Sequence, residues 1–244
     1  MEEIGASNLG HFNSLYLGTL LVGLLLVILV GGWIGSHLGG LAWHSNPAVQ
    51  FNWHPLLMTI GMIFLYGNAI LIYRGFRMTK KRNLKITHAT LHGLAFLATV
   101  LGLKAVFDSH DLASPPIPNL YSMHSWLGLL AVILFSAQYL VGFISFLAPG
   151  LSQPLREKIM PYHVLFGLYG FVAAAATALL GFSEKIFFTL KSDYANLPAQ
   201  GILVNFIALF VILFAGLVVY LATESRYKRQ ALPEDAILLT GQTD

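Results

Sequence analysis

The sequence predicts an all-α integral membrane protein with six transmembrane helices. Of its 244 residues 56% are hydrophobic and only 10% charged, against roughly 25% charged in an ordinary soluble domain. Six apolar runs each reach the roughly 20 residues needed to cross about 30 Å of hydrocarbon. Lipid leaves no backbone polar group unpaired, so runs of this length are helices.

The first run, about Leu15–Gly35, follows a segment carrying Glu2 and Glu3 and no basic n-region, which argues against a cleaved signal peptide. The others are about Phe51–Tyr73, Ile86–Phe107, His124–Leu147, Pro161–Phe182 and Gly201–Ala222. Many glycines and alanines lie inside them, as close helix packing in lipid favours. The chain divides into a segment 1–14, a six-helix domain 15–223 and a tail 224–244.

Orientation follows from Lys and Arg. Arg74, Arg77, Lys80, Lys81, Arg82, Lys85, Arg156, Lys158, Arg226, Lys228 and Arg229 fall on one side; only Lys104, Lys185 and Lys191 fall towards the other. The positive-inside rule makes the 2–3 loop, the 4–5 loop and both termini cytosolic.

Four histidines organise the spans: His54 in FNWHPLLM, His88 in KITHATLH, His124 in NLYSMHSWLG and His163 in MPYHVLFG. A histidine inside a span is costly without a partner. Each lies near the start of its helix, and consecutive helices run in opposite directions. His54 and His124 therefore share the non-cytosolic depth, and His88 and His163 the cytosolic one. Two histidines at one depth can ligate one metal from opposite faces, so two stacked bis-histidine sites are expected, on the order of 20 Å apart. Zero cysteines exclude disulfides, iron–sulfur clusters, thiolate zinc and thioether-attached haem. Zinc would want about four ligands, usually with a carboxylate or thiolate among them, and acids are almost absent from the spans. Two neutral imidazoles in a glycine-lined apolar space suit haem b. Two alternatives share the histidines: a metal-ion transporter without haem, using them near the midplane, and a quinol-linked cytochrome b subunit.

The segments FNWHPLLM, AILIYRGF, HATLHG, AVFDSHD, NLYSMHSWLG, MPYHV and ALLGFSEK resemble the cytochrome b561 family of ascorbate-dependent transmembrane oxidoreductases, from about Leu15 to Arg229. The resemblance implies six helices with a four-helix core, helices 2–5, holding two non-covalent b haems. Its axial pairs would be His54–His124 for the outer haem and His88–His163 for the inner. It implies that cytosolic ascorbate reduces the inner haem, and that the outer haem reduces ferric iron chelates or monodehydroascorbate. Family members are often homodimers, so a second copy joins ascorbate, the acceptor and lipid among the expected partners; no nucleic-acid partner is expected.

The basic 2–3 loop orients the chain, and a cationic mouth over the inner haem would also concentrate anionic ascorbate. The resemblance assigns that step to Arg74, with Lys81, Lys85 and Arg156 completing the site. Outside, His110 in FDSHD is the expected substrate or metal contact. Asp108 beside it suits ferric iron as an oxygen ligand, and Asn119, Tyr121 and Ser122 suit haem propionates or substrate. His92, one turn from His88 on the same face, competes with it for ligation on spacing alone; the resemblance favours His88 and leaves His92 a buried polar partner. His11, His37 and His44 are expected at the surface, and Trp33, Trp43, Trp53 and Trp126 in interfacial belts. Phe166, Tyr169 and Phe171 are expected as packing. The tail segment EDAILL, Glu234–Leu239, has the pattern of an acidic dileucine signal for endosomal and lysosomal membranes.

Overall fold

A computed structural model of the protein describes residues 2–43, 46–148 and 151–230; His44 and the Glu234–Leu239 signal lie outside them. Helix α1 (Glu2–His37) is followed by a second span built from α2 (Pro47–Gln50), α3 (Trp53–Met58), a π segment (Thr59–Leu65) and α4 (Tyr66–Gly75). Then come α5 (Lys81–Asp111), α6 (Met123–Gly142) with a closing π turn (Phe143–Leu147), α7 (Gln153–Leu190) and α8 (Ala199–Thr223). No strand occurs among the described residues. Six stretches have the length and composition to cross a membrane, beginning at His11, Pro47, Lys81, Met123, Gln153 and Ala199.

Local chemistry fixes the helix starts. Asn46 caps α2 from its side-chain oxygen, with Pro47 in the first turn, where no amide is missed. The buried Asn52 amide donates to the carbonyls of Leu38 and Gly40 at 2.9 and 2.8 Å. It thereby pins the turn that Gly39 and Gly40 make at φ +81° and +82°, a region side chains avoid. Ser122 and Ser125 form a reciprocal capping box that starts α6 at Met123 and sets His124 in its first turn.

The spans pair in sequence. The second span lies along α5, and α6 lies along α7; α1 and α8 pack together on the flank of α7 and α4. The second span also touches α7, whereas α5 and α6 meet only lightly, so space remains between the two pairs. At mid-depth the pairs are tied by Tyr66, Phe135 and Phe171, with ring centroids 4.9 and 5.5 Å from Tyr66. The Tyr66 hydroxyl donates to the Gly167 carbonyl at 2.8 Å. Outward-facing Ile28, Ile133, Leu165 and Leu209 are more than half exposed, an apolar surface that lipid covers.

The first helix extends ahead of the apolar run to Glu2, and its Phe12 is buried against Tyr16 and Tyr227. Two expectations are corrected. Trp33 is fully buried edge-on against Phe182 rather than set in a belt, since the α1 face it occupies turns inward; Trp126, 70% exposed, keeps the belt position. Of the supposed packing stripe only Phe171 is buried; Phe166 and Tyr169 are 43% and 56% exposed, because at helical spacing they fall on the lipid face of α7. His11 and His37 are exposed as expected.

Tyr66→Phe removes the hydroxyl that donates to the Gly167 carbonyl across the helix interface. We expect a loss of about 1 kcal/mol, read as a fall of ~2–4 °C in the thermal midpoint of the detergent-solubilised protein.

Candidate functional site

The four histidines meet in two pairs. His54 on α3 faces His124 on α6 with ring centroids 6.0 Å apart and planes at 86°. His88 on α5 faces His163 on α7 at 6.3 Å and 68°. Two imidazoles bound end-on to one first-row metal at about 2 Å each would place their ring centres roughly 6 Å apart, so both pairs have that spacing.

Hydrogen bonds decide which nitrogen faces inward. His54 Nδ1 lies 3.2 Å from the Gly102 carbonyl, His88 Nδ1 2.8 Å from that of Ala69, and His124 Nδ1 2.9 Å from that of Thr177. A carbonyl can only accept, so each Nδ1 carries the proton and Nε2 keeps its lone pair for a metal. His163 differs: its Nδ1 is buried without a partner among the described residues.

The same bonds measure the depth between the pairs. Gly102 lies fourteen residues along α5 from His88, and Thr177 fourteen along α7 from His163, about 21 Å at 1.5 Å per residue. On the second span His54 and Ala69 are fifteen apart, and the π segment between them is where a helix absorbs one extra residue.

Glycines clear space beside the rings. A Cβ on Gly181 would stand 2.6 Å from His124 Cε1, and one on Gly142 2.8 Å from His163 Cε1. The outer pair lines a cavity of about 860 Å³ with Trp33, Phe51, Met62 and Phe182 among its apolar walls. Lone-pair nitrogens at metal spacing, apolar walls and side-chain-free flanks fit a porphyrin. They do not fit a small-ion site, since no group of three His, Asp or Glu donors occurs among the described residues.

At the outer mouth the structure gathers His110, Asn119, Tyr121 and Ser122 on the cavity wall. His110 Nδ1 donates to Asn119 Oδ1 at 2.9 Å, and Asn119 Nδ2 to Asp111 at 2.9 Å, which leaves His110 Nε2 as the acceptor or ligand atom. The Ser122 hydroxyl donates to Glu184 at 3.0 Å. Asp108 is not brought to this wall, contrary to expectation: its carboxylate accepts from Lys104 at 2.8 Å and Gln50 at 3.1 Å. Three lining residues escape the sequence reading. Phe51 stacks on His110 at 6.5 Å, Lys185 Nζ lies 4.2 Å over the Phe51 ring, and Glu184 holds Ser122. The Glu184–Lys185 pair near the end of an apolar span was the available signal, because ionisable groups there mark function.

At the inner mouth Lys85 Nζ donates to the Phe146 carbonyl at 3.2 Å, and the Phe146 ring lies 5.2 Å from His163. Lys81 and Arg156 are the charged neighbours of Lys85, so these three cations share the rim. Arg74 points elsewhere: its Nη1 and Nη2 donate to the carbonyls of Glu224 and Ala222, both at 2.6 Å. His92 is buried between the levels, edge-on to His88 at 4.5 Å and to Tyr66 at 5.1 Å.

The profile of a family described as eukaryotic cytochrome b561 matches residues 53–189. A transmembrane ascorbate-dependent reductase CYB561 of Sus scrofa is 45% identical over 218 residues, covering 89% of this chain and 85% of that protein. Its Homo sapiens counterpart is 44% identical over the same shares. A plasma membrane ascorbate-dependent reductase CYBRD1 of Xenopus laevis is 42% identical, covering 89% and 77%.

Alanine at Gly181 or Gly142 is expected to push the adjacent imidazole off its axis and to lower the haem bound per chain, counted by pyridine haemochrome absorbance. Gly167→Ala, whose Cβ would meet nothing within 4 Å, should leave the count unchanged.

Proposed function

The chain belongs to the eukaryotic cytochrome b561 family, and from that premise we propose that it is a transmembrane ascorbate-dependent reductase, moving electrons from ascorbate on the cytosolic side to ferric iron chelates or monodehydroascorbate on the other. It is a multi-pass membrane protein with six spans, and its family implies b-type haem. The observation that carries the reading is the two imidazole pairs, each at metal spacing, about 21 Å apart in depth.

Two b haems, one per pair, would be held by His54 with His124 and by His88 with His163. When bound, they supply one-electron iron chemistry at both faces of the membrane. The protein's part is positioning. Gly102, Thr177 and Ala69 turn three of the imidazoles through their carbonyls, and the Tyr66–Phe135–Phe171 knot excludes water between the levels.

On the inner side Lys81, Lys85 and Arg156 draw an anion to the rim beside His163. Arg74 is turned away from that rim and caps the end of α8 through two carbonyls. On the outer side His110 offers Nε2 to the acceptor, oriented by Asn119 and stacked on Phe51, and Tyr121 and Ser122 border the same space. The excess of Lys and Arg at the inner end supports cytosolic termini. The EDAILL pattern supports an endosomal or lysosomal membrane.

The test is an absorbance difference spectrum of the purified protein before and after ascorbate, with haem counted per chain. Two haems reduced by ascorbate are expected, with His54→Ala and His163→Ala each abolishing one. Reduction by quinol but not ascorbate would favour a quinol-linked subunit, and a haem-free chain would leave a metal-ion transporter. Lys85→Gln and Arg156→Gln should each raise the ascorbate concentration for half-reduction by about ten-fold, leaving haem content intact.

A further inference from the structure

A lysine near the end of a span ordinarily turns its ammonium out to water. Lys185 instead sets its Nζ 4.2 Å over the centre of the Phe51 ring, in the wall of the outer cavity. The Phe51 ring lies 6.0 Å from that of His54 and stacks on that of His110 at 6.5 Å. A single aromatic ring therefore separates the ammonium from a histidine of the outer pair. Helical spacing puts it there. Thr177, Gly181 and Lys185 recur every four residues on α7, and all three line the cavity. Thr177 gives its carbonyl to His124, and Gly181 leaves room for that ring. Lys185 stands one turn further towards the outer end, about 6 Å along the axis.

The charge of Lys185 is not compensated by the protein. An ammonium carries three N–H donors, and a ring face attracts its charge without accepting them as an oxygen would. Among the described residues no hydrogen bond or ion pair holds Lys185 Nζ, and the side chain is partly buried. Glu184 precedes it in sequence, but consecutive residues of a helix do not face each other, and the Glu184 carboxylate accepts from Ser122 at 3.0 Å. No other lysine and no arginine lines this cavity among the described residues. A cation held beside apolar walls is costly until an anion meets it.

We propose that Lys185 is a binding residue of the outer cavity and receives an anionic oxygen group there: a carboxylate of a ferric chelate, or a carboxylate of the bound porphyrin. The proposal rests on the outer site assigned above to the His54–His124 pair and His110, and adds a cation to it. The two groups beside Phe51 are complementary. His110 offers a lone pair, which suits a metal, and Lys185 offers charge and donors, which suit the carboxylates around a metal. A porphyrin held by His54 and His124 would likewise turn its carboxylates to the wet end of the cavity, where Lys185 stands. The Phe51 face holds the ammonium in place before an anion arrives, which reduces the ordering cost of binding.

The test compares Lys185→Gln, Lys185→Arg and Phe51→Leu in the haem-loaded protein after reduction by ascorbate. Reoxidation is followed with two one-electron acceptors, ferric citrate as an anion and hexaammineruthenium(III) as a cation, and the concentration of each for half-maximal rate is read. The electron paramagnetic resonance signal and midpoint potential of the outer haem are read beside them. If Lys185 receives the chelate, Lys185→Gln raises the ferric citrate concentration about ten-fold, does not raise that of the ruthenium complex, and leaves the resonance signal unmoved. If it holds a porphyrin carboxylate, the resonance signal and potential shift while the ferric citrate concentration stays. In either case Lys185→Arg recovers part of the effect, because it keeps the charge. An equal loss in all three variants, alike for both acceptors, would assign the effect to support of the Phe51 ring and overturn the proposal. No change in Lys185→Gln, in a protein that takes electrons from ascorbate and passes them to ferric citrate, would also overturn it and leave the reductase standing. A chain without haem, or with haem that ascorbate does not reduce, would remove both.

Discussion

The structure depends on a set of hydrogen bonds that run from imidazole Nδ1 to a backbone carbonyl on a neighbouring helix. His54 reaches α5, His88 reaches α4 and His124 reaches α7, so each bond ties a histidine-bearing helix to another. One bond does three things at once. It satisfies a donor that lipid would leave unpaired, it selects the tautomer, and it aims Nε2 at the facing histidine. A fourteen-residue interval on both α5 and α7 then keeps the two pairs at matched depths. The π segment of the second span lets its own interval be one longer without losing register.

Between these levels the protein is dense and aromatic; at both ends it is open and polar. At the outer mouth His110 is oriented by Asn119, and Phe51 lies between His110 and Lys185. The inner mouth carries neighbouring cations from α5 and α7. The contrast suits an anionic donor entering from one side and an acceptor met through a lone-pair nitrogen on the other. In the proposed function the basic residues would serve topology and binding together, since a positive-inside bias puts charge where an anion would dock.

Arg74 shows how position in the sequence and contact in the fold can diverge. Its position at the end of α4 beside a basic loop fits an anion site, yet both of its terminal nitrogens hold carbonyls of α8. Those bonds start the turn that brings Tyr227 and Arg229 back over the loop. Loss of Arg74 would therefore release the end of α8.

The sequence by itself determined the six spans, the four histidines and their division into two levels. These follow from hydropathy length and the alternation of helix direction, which are properties of residues in order. The tertiary structure alone decided the rest. Backbone carbonyls carry no sequence signature, so Gly102, Ala69 and Thr177 could not be identified as partners of the imidazoles before the helices were packed. Asp108 lies two residues from His110, but the helix face turns it toward Lys104 and Gln50 and away from the cavity. Trp33 has the spacing of a belt residue, and only the packing of α1 shows it buried against Phe182. Arg229 lies more than 140 residues from Arg77 and Thr79, and only the folded-back end of α8 brings it to their carbonyls. Spacing along one helix is local and legible; contact between helices depends on how whole faces fit, and that is settled by packing.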